Sequence, residues 1–163
     1  MAEDNREQTK KEKIIAVSGG FDPIHIGHIE MFQRAKALGD KLVVILNNDN
    51  WIKKKKGHPF MPESERMEVI KAIRYVDEVI LSSHGPEPED MSVCAELRMI
   101  RPRIFGNGGD RHSANIPEVP VCEEIGCELV YNLGSKIQSS SWLLKDYLKK
   151  FNSVGNDERQ EKK

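Results

Sequence analysis

The sequence predicts an α/β protein built on a single doubly wound, five-stranded parallel sheet. Three observations predict it. Short apolar runs alternate along the chain with helical patterns, which is how successive β-α units read in sequence. The runs at 14–17 (IIAV) and 42–46 (LVVIL) are apolar at every position, as in strands covered on both faces. Glycine-rich or otherwise unusual segments follow the apolar runs directly, where ligands of such sheets sit.

The elements follow in order. After the strand at 14–17 come Gly19 and Gly20, then a helix over 28–38 with Ile29, Phe32, Ala35 and Leu38 on one face. Gly39 and Asp40 close it before the strand at 42–46. Residues 48–60, with four consecutive lysines, are expected as a polar loop. Pro62 opens a helix to about residue 74, since its fixed φ suits a first turn. A short strand at 79–81 precedes a helical stretch over 88–100, ended by Pro102. A strand through 103–105 stops at Gly106, Asn107, Gly108 and Gly109. A short helix over 117–125, a fifth strand at 128–131 and a helix over 139–151 with a serine cap complete the pattern. The folded unit is expected over 13–151. The segments 1–12 and 152–163 carry mixed charge and little apolar content, and are expected as flexible tails.

Composition narrows the function. The chain has 163 residues, 38% hydrophobic and 31% charged, with a net charge of −1. That length suits one domain. No global positive field exists to hold nucleic acid or an anionic membrane, so an anion site must be local. No apolar run reaches the roughly 20 residues of a membrane span, and the first residues lack a signal-peptide core. Cys94, Cys122 and Cys127 are an odd number in a chain too large to need disulfide staples, which predicts free thiols and a cytoplasmic location. Cys122 and Cys127 lack the second pair that a zinc site requires.

The segment 18–28, SGGFDPIHIGH, carries the strongest signal. Gly19 and Gly20 let backbone approach a ligand closely. Asp22 and Pro23 make a stiff turn. His25 and His28 stand three apart around Gly27, so a helix starting near Ile26 aims both imidazoles and its free N–H groups at one spot. A lone histidine there would be an ordinary cap; the pair after a buried strand and two glycines predicts a phosphate site. The lysines at 53–56 read first as a solvated charge run. Arg66 reads first as the partner of Glu63 or Glu65. Ser139, Ser140 and Ser141 open the last helix, where hydroxyls and first-turn N–H groups suit either an N-cap or phosphates.

GGFDPIHIGH resembles the HxGH signature of the nucleotidyltransferase superfamily, and the likeness extends over most of 14–151. The nearest members are the heptose-1-phosphate adenylyltransferase and glycerol-3-phosphate cytidylyltransferase types. The resemblance implies a Rossmann-like nucleotidyltransferase fold. It implies that His25 and His28, with Lys53 and Lys56 of a K-x-x-K-G pattern, are catalytic. It implies nucleotide binding by Gly19, Gly20, Phe21, Asp22, Gly27, Arg66, Gly108, Gly109, Asp110, Ser139, Ser140 and Ser141. Two departures stand out. Asn107 replaces the lysine of a K-G-G-D pattern. The arginine that cytidylyltransferases carry before the serines is absent, with Lys136 nearby instead, which favours ATP over CTP.

The implied reaction is attack by a phosphorylated sugar or polyol on the α-phosphorus of a nucleoside triphosphate, with pyrophosphate leaving. Mg²⁺ would be bound through the substrate phosphates. No residue is needed as a covalent nucleophile. Adenylyltransferases acting on pantetheine phosphate or nicotinate mononucleotide are the alternative, and a non-catalytic nucleotide-binding regulator is an alternative of another class. A nucleoside triphosphate and a phosphorylated small molecule are the expected partners, with no nucleic acid and no membrane. The resemblance also implies a homodimer.

Overall fold

The computed structural model describes residues 11–109, 116–134 and 137–160. Among them β1 (Ile14–Gly19), β2 (Lys41–Leu46), β3 (Glu78–Leu81), β4 (Ile104–Gly106) and β5 (Glu128–Val130) form one sheet in the order β3-β2-β1-β4-β5. All four pairings are parallel, as expected. The helices are α1 (Ile26–Lys36), α2 (Asp49–Lys56), α3 (Glu63–Lys71), α4 (Cys94–Ile100), α5 (Val119–Ile125) and α6 (Ser140–Gln160).

The strand order explains where a site can form. The chain builds outward from β1 through β2 to β3, then crosses back to lay β4 on the other side of β1. The connections leaving β1 and β4 run in opposite directions, so a crevice opens beyond the carboxyl ends of these two strands.

Two apolar layers hold the sheet. Side chains alternate between its faces. Ile15, Val17, Leu42, Val44 and Leu46 pack with Phe32 and Ala35 of α1 and Ile70 of α3. Ala16, Ile45 and Phe105 pack on the other face with Leu97 of α4 and Val121 and Cys122 of α5. Each such Val, Leu, Ile or Phe contributes about 1.5–3 kcal/mol on burial. This second layer accounts for the cysteines. All three are free, and Cys122 and Cys127 are buried. Burial pushes the Cys122 thiol up to about 12, so it stays protonated and inert.

Several element bounds differ from expectation. The loop expected over 48–60 contains α2. Asn48 caps it, its side-chain oxygen accepting from the Trp51 N–H at 3.0 Å. Asp49 in the first turn and the four lysines in the last complement the helix dipole. Ile52 anchors it in the core, fully buried. The helix expected from residue 88 starts only at Cys94. The Asp90 carboxylate accepts from the Ser92 N–H at 2.8 Å, holding a local turn that competes with helix. Helix α1 starts at Ile26 rather than 28, α3 ends at Lys71 rather than near 74, and α6 continues past 151 to Gln160. Among the described residues no helix is long and apolar enough to cross a membrane.

Candidate active site

The turn from β1 into α1 arranges the two histidines. Phe21 is in the left-handed region at φ 48° and is almost wholly buried. Its ring meets His28 edge-on, with centroids 4.9 Å apart, and also touches Phe32. Gly19 makes room for that ring: a Cβ there would stand 2.8 Å from it. His25 is the N-cap of α1, and its backbone N–H donates to His28 Nδ1 at 3.2 Å. The two imidazoles stack with centroids 3.6 Å apart and planes 21° apart. Gly27 permits this fold-back, because a Cβ there would lie 3.1 Å from the His25 ring.

That backbone bond fixes a tautomer. His28 Nδ1 accepts, so neutral His28 carries its proton on Nε2 and is a donor there. Its pKa is pushed down to about 3, first by burial, then by the repulsion it would meet from a protonated His25 and from Lys56. Burial and then Lys56 lower His25 as well. Both rings are therefore held as neutral donors rather than as imidazolium ions.

The histidines face a cleft of about 320 Å³. One side is β1 and the start of α1; the other is the end of β4, the segment after β5 and the start of α6. Lys56 reaches it from α2, its Nζ donating to the Asp22 carbonyl at 2.9 Å. Burial pulls the Lys56 ammonium below its usual pKa, with Asp22 opposing that shift. Ser139 caps α6, its hydroxyl accepting from the Trp142 N–H at 3.2 Å. Ser140 donates to the Pro23 carbonyl at 2.7 Å and so pins α6 to the β1–α1 turn. A helix N-terminus therefore enters from each side, and both favour negative charge.

Of the expected residues, His25, His28, Lys56, Gly19, Phe21, Gly27, Gly108, Gly109, Ser139, Ser140 and Ser141 line this cleft. Four do not. Lys53 is exposed one helical turn from Lys56 and is not among the lining residues. Gly20, Asp22 and Arg66 are part of a clamp outside the lining. Arg66 is 1% exposed. Its Nη1 donates to the carbonyls of Gly20 and Asn47 at 2.7 Å each, Nε to Met61 at 2.9 Å, and Nη2 to Asp49 Oδ1 at 2.6 Å. The Asp22 carboxylate accepts from the N–H groups of Phe60 and Met61, each at 2.8 Å. These charges have protein partners and hold the loops after β1 and β2 together. Asp110 and Lys136 lie outside the described residues.

Ser18, Met31, Asn107, Leu133, Gly134 and Gln138 also line the cleft and were not expected. Gly134, at φ 97°, offered the clearest signal, a glycine between the fifth strand and the last helix.

A crevice at the β1/β4 crossing, two helix N-termini and a neutral histidine pair define a nucleotide-handling α/β protein. Residues 16–93 match the family model described as Cytidylyltransferase-like. The FAD synthase of Pyrococcus horikoshii is 40% identical over 98 residues, and the chain spans 63% of that protein's length. The FAD synthase of Thermococcus onnurineus is 32% identical over 143 residues, which are 86% of this chain and 87% of that one. The bifunctional protein HldE of Methylococcus capsulatus is 38% identical over 101 residues, 61% of this chain and 20% of that protein. Among solved structures, the lipopolysaccharide core biosynthesis protein from Thermoplasma volcanium superposes with a TM-score of 0.60 at 26% identity, over 74% of this chain and 96% of that one. The chain belongs to the cytidylyltransferase-like nucleotidyltransferase family.

Proposed function

We propose that the chain transfers the nucleoside monophosphate of a triphosphate, with ATP as donor, to the phosphate of a small molecule. FMN is the first acceptor to test, because the FAD synthase relatives make a product that joins FMN to an adenylyl group. The sugar or polyol phosphate expected from sequence is the second, supported by the lipopolysaccharide-core neighbour. The observation that carries the reading is the stacked His25–His28 pair, neutral and donor-bearing, at the crevice beyond the carboxyl ends of β1 and β4.

The chemistry follows from these residues. An acceptor phosphate oxygen attacks the α-phosphorus, a new P–O bond forms in line, and the bond to the β-phosphate oxygen breaks to release pyrophosphate. His28 Nε2–H and the His25 ring donate to phosphate oxygens as charge builds on them. Because the rings are already positioned by stacking and by the His25 N–H bond, little reorganisation accompanies the step. Lys56 and the first turns of α1 and α6 hold the triphosphate. The protein orients reactants and stabilises charge, as phosphoryl-group chemistry requires.

A divalent cation such as Mg²⁺ fits this arrangement as part of the substrate. No carboxylate is among the described residues lining the cleft, and no described group of three metal-ligating side chains exists. The ion would enter on the phosphates.

The test is pyrophosphate release from ATP and CTP against FMN, sugar and polyol phosphates, pantetheine phosphate and nicotinate mononucleotide. Release with ATP and FMN is expected. Tight ATP binding without release in any pairing would make the chain a nucleotide-binding regulator instead.

A further inference from the structure

Four buried side-chain polar atoms among the described residues lack a hydrogen-bond partner: His25 Nδ1, Asn47 Oδ1, Asn107 Nδ2 and Glu118 Oε2. Only His25 and Asn107 belong to residues that line the cleft. His25 is in the histidine pair. Asn107 has no task in the chemistry above.

The backbone of Asn107 holds it in place. Its N–H donates to the Val130 carbonyl at 2.8 Å, and its carbonyl accepts from the Leu133 N–H at 3.0 Å. The residue is 3% exposed, and its carboxamide nitrogen has no acceptor among the described residues. Buried donors are almost always paired, so an orphan on a residue that lines a ligand cleft marks a group whose partner arrives with the ligand. The strain of leaving it unpaired is then relieved only on binding.

Its surroundings say which part of the ligand. Among the described residues, the lining next to Asn107 is Ser18, Gly108, Met31, Leu133 and Gly134, with no charged side chain. A Cβ on Gly108 would strike Met31 Sδ at 2.8 Å, so this wall is backbone against thioether. The cation Lys56 and the hydroxyls of Ser139 to Ser141 come from other elements of the rim, and the Ser18 hydroxyl at the end of β1 is uncharged. A neutral donor among uncharged atoms matches a neutral acceptor rather than a phosphate oxygen.

We propose that the Asn107 carboxamide is a specificity-determining donor to a neutral acceptor atom of the nucleoside, on the base or the ribose. This rests on the triphosphate reading of the cleft. Its signature differs from that of a structural asparagine. Removing an unpaired buried donor leaves the unliganded protein as stable as before or more so, while nucleoside recognition weakens.

The experiment measures binding of ATP, 2′-deoxy-ATP and inorganic tripolyphosphate by calorimetry, with Mg²⁺, to the wild type and to Asn107→Ala and Asn107→Leu, together with each Tm. ATP affinity is expected to fall roughly five- to tenfold in both variants, tripolyphosphate affinity to stay unchanged and Tm not to drop. A loss with ATP that vanishes with 2′-deoxy-ATP puts the acceptor on the ribose 2′-hydroxyl; a loss kept in full puts it elsewhere on the nucleoside. Equal losses for ATP and tripolyphosphate, unchanged ATP affinity, or a fall in Tm with every ligand affected alike would overturn the proposal. Failure of the wild type to bind ATP would instead overturn the reading of the cleft itself, and with it the role of Asn107.

Discussion

His25 with His28 and Asp22 with Arg66 look alike in sequence: polar residues in segments that carry the family resemblance. The structure places them in opposite settings. The imidazoles are neutral, stacked and turned to the cleft. The carboxylate and guanidinium are charged, sealed and matched to backbone carbonyls and N–H groups around the loops after β1 and β2. A buried charge persists only when it is compensated on nearly every side, and that compensation removes it from ligand chemistry. A group meant for a ligand is left with a free hydrogen or lone pair.

Four measurements break or sharpen this contrast. The largest effect on stability belongs to Arg66→Met. It strands the Asp49 carboxylate and three carbonyls, and should cost about 3–5 kcal/mol in denaturant unfolding. An unchanged midpoint accompanied by lost ATP binding would return Arg66 to the ligand set. His28→Ala should keep the fold but slow pyrophosphate release about a hundred- to thousandfold, the scale of one lost oxyanion donor. Turnover near the wild-type level would end the assignment of the pair. Lys56→Met should weaken triphosphate binding about tenfold, and Lys53→Met should leave it within about twofold. Equal effects would show that the lysine run acts as a diffuse charge.

The last measurement is of pH dependence. Folded His28 resists protonation until about pH 3, whereas in the unfolded chain it takes a proton near 6.5. Between those values the unfolded state binds the extra proton. Stability from this residue is therefore complete above pH 6.5 and declines as pH falls, by at most about 1.4 kcal/mol per unit. Unfolding midpoints from pH 7.5 down to 4.5 should fall more steeply in the wild type than in His28→Asn. Parallel curves would mean that His28 titrates normally in the folded protein.

Much of this was legible in the chain. Fully apolar runs separated by helical patterns gave the parallel sheet, and HxGH after two glycines gave the centre of the cleft. Four lysines in a row concealed α2, since its helicity depends on one capping asparagine and one buried isoleucine. Asp90 and Ser92 shortened α4 through a turn that apolar spacing does not register. The clamp around Arg66 and Asp22, outside the lining, was not legible because burial is a long-range property: what seals Arg66 is backbone from residues 20, 47 and 61. Leu133 and Gly134 were missed for a related reason. Their place at the cleft depends on the segment after β5 lying beside the end of β4, and spacing along the chain does not reveal that neighbourhood.

The two walls of the cleft come from opposite halves of the chain. Residues 18–31 and Lys56 form one; residues 107–109, 133–134 and 138–141 form the other. The stacked histidine pair thus sits entirely in the first half, inside the stretch matched by the family model. A chimera that kept 11–100 and took its remaining strands from a relative would keep this pair and Lys56 while exchanging the opposite wall, the first turn of α6 included. Under the proposed function, substrate preference would then diversify by grafting of the second half.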